Sequence, residues 1–472
     1  LFGRRSLFER LCAARTRAGQ DRLASWLRRQ SPVEQIRERQ EAVRELALAL
    51  DLREDLAVLG AEARRGVDSS PLVHWAAGPR IPVPETLRRA AFFVSGAALV
   101  SLVTWGAGYS SALPFQLATL AVAACHLRAR AFASAVLDGL GRPVTDLRIL
   151  ESLFDRLAKP TFSATRLRTV QAALQEDGRS PSEAIERLGR WLEAHESKSN
   201  AFFGVLAFFL LWDLQLAARV EHWRRLHGPR IAGWIDALGE MEALASLGAY
   251  TFENPEDVFP EFVDGPALFE AKGLTHPLLR PEIAVRNDVR LGAGLNMLVI
   301  TGSNMSGKST FLRSVGLNTA LALSGGPVRA RSLRLTPLAI GASIRTQDSL
   351  QDGASRFYAE IRRVRQILDL ATEDAPALFL LDEIFDGTNS AERRIGAEAV
   401  VKALLERSAL GLVTSHDLAL AEIAVSLAPR AANIHFEDHL EGDRMAFDYL
   451  IKEGPVQRGN ALGLMRAVGL TV

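Results

Sequence analysis

Residues 295–310 read LNMLVITGSNMSGKST, an apolar run followed by a loop bounded by glycines and closed by Gly307-Lys308-Ser309-Thr310. Residues 295–300 have the apolar, β-rich content of a buried strand, and residues 311–323, FLRSVGLNTALAL, have the make-up of a helix packed on a sheet. Strand, loop and helix in this order are the context in which a Gly-x-x-x-x-Gly-Lys-Ser spacing carries a mechanism. Gly302 and Gly307, with Ser303, Asn304, Met305 and Ser306 between them, let the backbone bend so that successive N–H groups face anionic phosphate oxygens. In this phosphate-binding loop Lys308 neutralises the outer phosphates, Ser309 ligates Mg²⁺, and Thr310 completes the nucleotide-binding set. A chance Gly-rich turn is the competing reading. Lysine is scarce in a chain whose basic charge is mostly arginine, which sets Lys308 apart.

The 472 residues, 48% of them hydrophobic and with a formal net charge of +1, suit two or three domains with sizeable cores. Near-neutral charge gives no general attraction to a polyanion, so any nucleic acid must be met through a local surface. The two cysteines, Cys12 and Cys125, are far apart and lack metal-type spacing, which argues against a disulfide framework or a zinc site. A chain that begins at Leu1 is expected to be a piece of a longer one.

Upstream, residues 4–77 repeat Leu, Val and Ala three and four apart among Arg and Glu, the pattern of amphipathic helices. Ser31-Pro32-Val33-Glu34 and Ser180-Pro181-Ser182-Glu183 are expected capping boxes, each with a hydroxyl cap, proline in the first turn and a returning Glu. Residues 90–125 contain no charged residue, enough for two short membrane spans bent at 106–114. Arg88 and Arg89 precede this run, and Arg128 and Arg130 follow it, so both ends suit the cytoplasmic side. The alternative is a helical hairpin buried in a large soluble domain. Residues 200–211, NAFFGVLAFFLL, are shorter than a span and are expected to form a core helix.

Downstream, residues 377–382, ALFLLD, read as a buried strand ending in Asp382 and followed by Glu383. Adjacent carboxylates there can divide the work, Asp382 holding the Mg²⁺ shell and Glu383 orienting or deprotonating a water. Residues 410–415, LGLVTS, form a further buried strand that delivers His416 to the same sheet edge, where it could sense a terminal phosphate. Between them, Gly353-Ala354-Ser355 before a helix is a second phosphate-seeking surface, expected to close on the nucleotide of a partner subunit.

Together these residues resemble the MutS family, the ABC-type ATPases of DNA mismatch repair. The resemblance rests on 302–310, on the signature serine segment 353–355, on Leu381-Asp382-Glu383, on the D-loop-like Gly387-Thr388-Asn389, and on Thr414-Ser415-His416-Asp417. His276-Pro277 and Asn287-Asp288 resemble the start of the family's ATPase domain, and residues 24–46 the start of its helical core. The resemblance implies an α/β P-loop (ABC-type) ATPase domain preceded by an all-α core and lever domain, here with the apolar hairpin inserted. The expected division is 1–87 and 131–250 for the helical core and lever, 88–130 for the hairpin, 251–454 for the ATPase domain and 455–472 for a C-terminal helical segment. It also implies hydrolysis of ATP with Mg²⁺ in a homodimer joined through the ATPase domain. Each site would take Lys308, Ser309, Asp382, Glu383 and His416 from one subunit and Gly353 and Ser355 from the other.

The chain departs from the family in three places. It is expected to lack an N-terminal mismatch-reading domain, and the Phe-x-Glu triplet Phe259-Pro260-Glu261 lies beside the ATPase rather than at a DNA clamp. The uncharged run 90–125 stands where levers would reach toward DNA. No aromatic stands around 283–286 to stack on adenine, and Ile283 and Val285 are the apolar substitute. Two functions share this engine: a dimeric ATPase driving helical arms in DNA binding or mismatch-repair work, or a membrane-anchored ATPase acting on a protein or membrane partner without mismatch recognition. The expected location is the inner membrane, through 90–125, with the ATPase domain on the cytoplasmic side; the cytoplasm is the alternative. A small-molecule kinase is disfavoured, because Glu383 suits water activation and no acceptor pocket is visible.

Overall fold

The computed structural model describes residues 1–61, 68–79, 81, 84–137, 144–175, 180–196, 201–303, 305–344, 356–371, 376–386, 389–416, 418–441 and 444–456. The chain divides into two compact units. The first takes Leu1–Cys12, Leu23–Leu48 and Leu247–Val472, and the second takes Ala13–Arg22 and Ala49–Ser246.

The described residues of the first unit form ten strands: β1 (Glu261–Phe262), β2 (Phe269–Leu274), β3 (Asn287–Leu291), β4 (Met297–Thr301), β5 (Ser332–Leu335), β6 (Ala339–Ser343), β7 (Ala377–Asp382), β8 (Leu410–Ser415), β9 (Ala431–Glu441) and β10 (Arg444–Glu453). β4, β7 and β8 are buried at every position, as continuous apolar runs must be when both faces of a parallel sheet are covered. They lie in a six-stranded sheet of order β10-β9-β4-β8-β7-β6, parallel from β9 to β6 with β10 antiparallel at the edge. The register sets Ile300 and Asp382 beside Thr414, and Thr301 beside Ser415 and His435. The carboxyl ends of three strands therefore meet at one edge, the position at which α/β sheets hold ligands. β3 alternates buried and exposed, and belongs to a four-stranded sheet of order β1-β5-β2-β3.

Helices Lys308–Ser324, Arg356–Leu370, Ser390–Glu406 and Leu418–Ser426 clothe the large sheet. Phe379, Leu381, Val413, Ile367, Leu404 and Ile423 belong to its buried core. Phe259 carries the Arg44 guanidinium 4.1 Å from its ring centroid, a packing contact inside the first unit.

The second unit is helical. A buried carboxylate, Glu242, accepts the backbone N–H groups of Arg15 (3.0 Å) and Thr16 (3.1 Å) and the Thr16 hydroxyl, capping the start of helix Arg17–Arg28. Burial pushes its carboxyl above the usual range, against the pull of these hydrogen bonds. Ser180 caps as expected, its Oγ accepting from Ser182 N–H at 3.2 Å with Pro181 first in the helix. At the other box the helix starts at Val33, and Ile36 N–H donates to Pro32 O, so Pro32 stands where Ser31 was expected.

The uncharged run folds as two helices, Glu85–Gly106 and Leu113–Leu137, each long and apolar enough to cross a membrane. They are longer than the two short spans expected, because helical hydrogen bonding continues through the flanking arginines. The most apolar stretches are only 11% and 28% buried, with Phe92, Phe93, Leu99, Val100, Leu120 and Leu127 all exposed. Their inner faces, at Ala91, Ala98, Val122 and Ala129, form one buried cluster. The expected core helix at 200–211 is met on one side: helix Ala201–Phe209 buries Ala207 and leaves Val205 63% and Leu206 53% exposed. It packs on the hairpin through Phe208, Phe209 and Leu211, then bends by 74° into the 42-residue helix Trp212–Glu253.

The tightest point of the large sheet yields a stability test. A Cβ at Gly411 would lie 2.3 Å from the ring of the fully buried Phe379 on the neighbouring strand. Gly411→Ala is expected to lower unfolding stability by ~1–3 kcal/mol, as overpacking does, and Phe379→Leu in the same chain to recover part of the loss. Chemical denaturation measures this, and an unchanged midpoint for Gly411→Ala would refute the packing.

Candidate functional site

β4 ends at Thr301, and the chain turns sharply through Gly302 (φ +146°) and Gly307 (φ +108°) into helix Lys308–Ser324. At Gly302 a Cβ would sit 2.8 Å from Phe436 O and 2.9 Å from Ser306 Oγ, so no larger residue fits this left-handed turn. Lys308 is buried, and its Nζ donates to the carbonyls of Gly302 and Ser303 at 2.7 Å each. Burial lowers its pKa, opposed by the nearby carboxylates of Glu383, Asp382 and Asp438. Met305, at φ +72°, is exposed at the tip.

One carboxylate oxygen ties three elements together. Asp382 Oδ1 accepts from Ser309 Oγ at 2.8 Å and from Thr414 Oγ1 at 2.6 Å. Thr414 Oγ1 in turn accepts the Glu383 N–H at 3.1 Å, and that N–H also faces Thr414 O at 3.2 Å. Glu383 thus leaves the sheet in the left-handed region, φ +52°, with its carboxylate 3.7 Å from His416 Nδ1. His416 Nε2 lies 3.9 Å from Asp386, which pairs with Arg393 at 2.5 Å. Both distances to His416 exceed a hydrogen bond.

Lys308, Ser309, Asp382, Glu383 and His416 are therefore gathered at one sheet edge. Asn304, Gly353, Ser355, Gly387 and Thr388 lie outside the described residues. Asn389 caps helix Ser390–Glu406, its Oδ1 accepting from Glu392 N–H at 2.9 Å. Glu360, which the sequence reading passed over, is buried on helix Arg356–Leu370 and accepts the Phe385 N–H at 2.7 Å. That bond joins the segment after β7 to the helix that follows residues 353–355.

Ile283 and Val285 line a cavity of about 370 Å³ together with Met305, Gly307 and Thr310. Tyr449 of β10 lines it as well, its Cδ1 3.1 Å from where a Gly307 Cβ would be. An aromatic ring thus stands on the cavity wall beside Ile283 and Val285, supplied from β10 rather than from 283–286. Asn287 holds it there, donating to Tyr449 O at 2.9 Å and accepting from Ile451 N–H at 2.8 Å. The pairing β10–β9 shifts register between Phe447 and Ile451, so the sequence alone did not reveal which side chain would face the loop.

A fit to a nucleotide and its cation can be judged from these atoms. The Ser303 and Ser306 hydroxyls are buried with no hydrogen-bond partner among the described residues, in a loop whose glycines exclude side chains. A hydroxyl and a carboxylate, Ser309 and Asp382, supply hard oxygen donors suited to Mg²⁺. The residues fit the group.

His276 lines the same cavity, and burial, aided by Arg313, lowers its pKa from 6.5 to about 4. The unfolded chain then binds a proton near pH 6.5 that the folded chain refuses until about pH 4, so stability falls as pH drops through that window. With discounting for partial exposure the loss is ~2 kcal/mol. Denaturation midpoints between pH 7 and pH 4 should fall more steeply for the parent than for His276→Gln, and equal slopes would refute the assignment.

Residues 298–471 match the family model described as MutS domain V. That domain is the ATPase domain of MutS-type proteins, so the match suggests ATP binding and hydrolysis, with Mg²⁺ typical of the family. The match lies on the α/β sheet region and leaves the helical N-terminal part uncovered, so the likeness to MutS-type proteins is that of residues 298–471.

Proposed function

We propose that the chain is a MutS-like ATPase of the P-loop, ABC type, acting as a homodimer and seated in a membrane by its apolar helices. The observation that carries the reading is the Ser309–Asp382–Thr414 cluster beside the buried Lys308 at the end of β4. Lys308 and the loop N–H groups hold the phosphates, while Ser309 and Asp382 hold Mg²⁺. A Mg²⁺ held there would supply Lewis-acid withdrawal of charge from the phosphate oxygens. Glu383, aimed by the Thr414 hydroxyl, orients a water and takes its proton, and His416 beside it senses the phosphate end of the site. Tyr449, Ile283 and Val285 form the apolar seat of the base. Gly353 and Ser355 act on the partner subunit's nucleotide, and Gly387, Thr388 and Asn389 are the D-loop-like segment of the family resemblance.

Nucleotide state would move the helical unit through helix Trp212–Glu253, whose residues belong to both units. Membrane seating is supported by the exposed apolar faces of Glu85–Gly106 and Leu113–Leu137 and by arginines at both outer ends. The ATPase domain then lies on the cytoplasmic side, and the work is on a protein or membrane partner. Action on DNA rests on the family resemblance alone.

Turnover assays test the engine. Lys308→Ala is expected to abolish nucleotide binding, and Glu383→Gln to retain bound ATP while losing turnover about a hundredfold or more. Per-subunit turnover should rise with protein concentration. Parent-like turnover in either variant would overturn the assignment. Removal of the ring in Tyr449→Ala should weaken ATP binding about tenfold with little change in turnover at saturation, and an unchanged Kd would remove Tyr449 from the site.

A further inference from the structure

The second unit contains a groove of about 960 Å³ between helix Glu85–Gly106 and the Ala201–Phe209/Trp212–Glu253 bend. Its wall is apolar, with Leu99, Leu102, Val205, Leu206 and Leu210 along it. It shares Phe92, Gln215 and Arg219 with a second cavity of about 880 Å³, where Arg88, Arg89 and His222 also stand. A hydrocarbon trough thus opens onto a basic mouth.

The charges at that mouth are unevenly committed. Arg89 pairs with Glu85 at 3.2 Å, both side chains exposed, and His222 Nδ1 contacts Arg225 at 2.9 Å. Arg88 and Arg219 have no carboxylate partner among the described residues. Two polar atoms lie deeper: Ser95 Oγ and Trp212 Nε1 line the trough, buried and without a hydrogen-bond partner among the described residues. Ser95 follows Arg88 by seven residues and Trp212 precedes Arg219 by seven, about 10 Å along each helix. Cations at the mouth and unmatched polar atoms along the trough follow the order, from headgroup to acyl chain, of a lipid's phosphate and ester carbonyls, the arginine side chains spanning part of the axial offset. From Phe92 to Leu102 the trough runs about 15 Å, half the ~30 Å hydrocarbon core of a bilayer.

We propose that this groove holds one anionic phospholipid, its phosphate at Arg88 and Arg219, its ester carbonyls at Ser95 and Trp212, and one acyl chain along the trough. The charge pattern commits the occupant to an anionic lipid, since two guanidinium groups without a carboxylate partner among the described residues leave net positive charge at the mouth, and a zwitterionic headgroup would add its own ammonium there. The proposal rests on the membrane-seated reading of the hairpin.

The experiment reconstitutes the full chain into phosphatidylcholine nanodiscs, with and without phosphatidylglycerol, and counts lipid retained through detergent exchange by native mass spectrometry. Retention of about one phosphatidylglycerol per chain, undisplaced by inorganic phosphate, is expected. Arg88→Gln with Arg219→Gln should weaken retention about thirtyfold while insertion persists, and Arg88→Lys with Arg219→Lys should restore it. Equal retention of both lipids, unchanged retention in the glutamine variant, or displacement by inorganic phosphate would overturn the proposal. Failure of the parent to insert into phosphatidylcholine alone would instead overturn the membrane reading beneath it.

Discussion

The candidate site depends on a single oxygen, Asp382 Oδ1, shared by Ser309 and Thr414. A buried carboxylate is tolerated only when its charge is met by donors, and these two come from different elements. One begins the helix after the glycine loop and the other ends the adjacent strand. The bond pair therefore fixes loop, β7 and β8 relative to one another at the sheet edge. Through the same Thr414 hydroxyl it also sets the backbone of Glu383, and Phe385 two residues later is held by Glu360. Position at the centre of the site follows from strand register rather than from any one loop.

That part was legible in the sequence for a physical reason. β4, β7 and β8 are covered on both faces, so their residues are apolar without interruption and the first polar residue marks the strand end. The glycines at 302 and 307 are demanded by backbone angles that only glycine adopts freely. Tyr449 and Glu360 were not legible. Each reaches the site through a long-range contact, one set by an irregular ladder and one by a helix face, and neither leaves a local pattern.

The third apolar helix shows a different failure. Residues 200–211 were counted short of a span because Asp213 appeared to end the apolar run. Asp213 stands in the first turn of helix Trp212–Glu253, beyond the bend, so it does not interrupt the apolar helix before it. Three helices, not two, then present hydrocarbon at their surfaces, and the bend at 210–211 keeps the third beside the hairpin. In water so much exposed apolar area is a liability; in a bilayer the same helices have every backbone group satisfied internally.

The division of the chain has a consequence for how it is made. Residues Leu23–Leu48 belong to the unit completed only by Leu247–Val472, with about 200 residues of the other unit synthesised in between. At ribosomal rates of about 5–20 residues per second, Ile36 and Leu46, both fully buried at the end, wait roughly 10–40 s for their partners. During that interval the apolar hairpin emerges. Nascent chains of this protein therefore hold an unpaired amphipathic segment while a long apolar one leaves the tunnel, and on the membrane-seated reading insertion of the second would compete in time with pairing of the first.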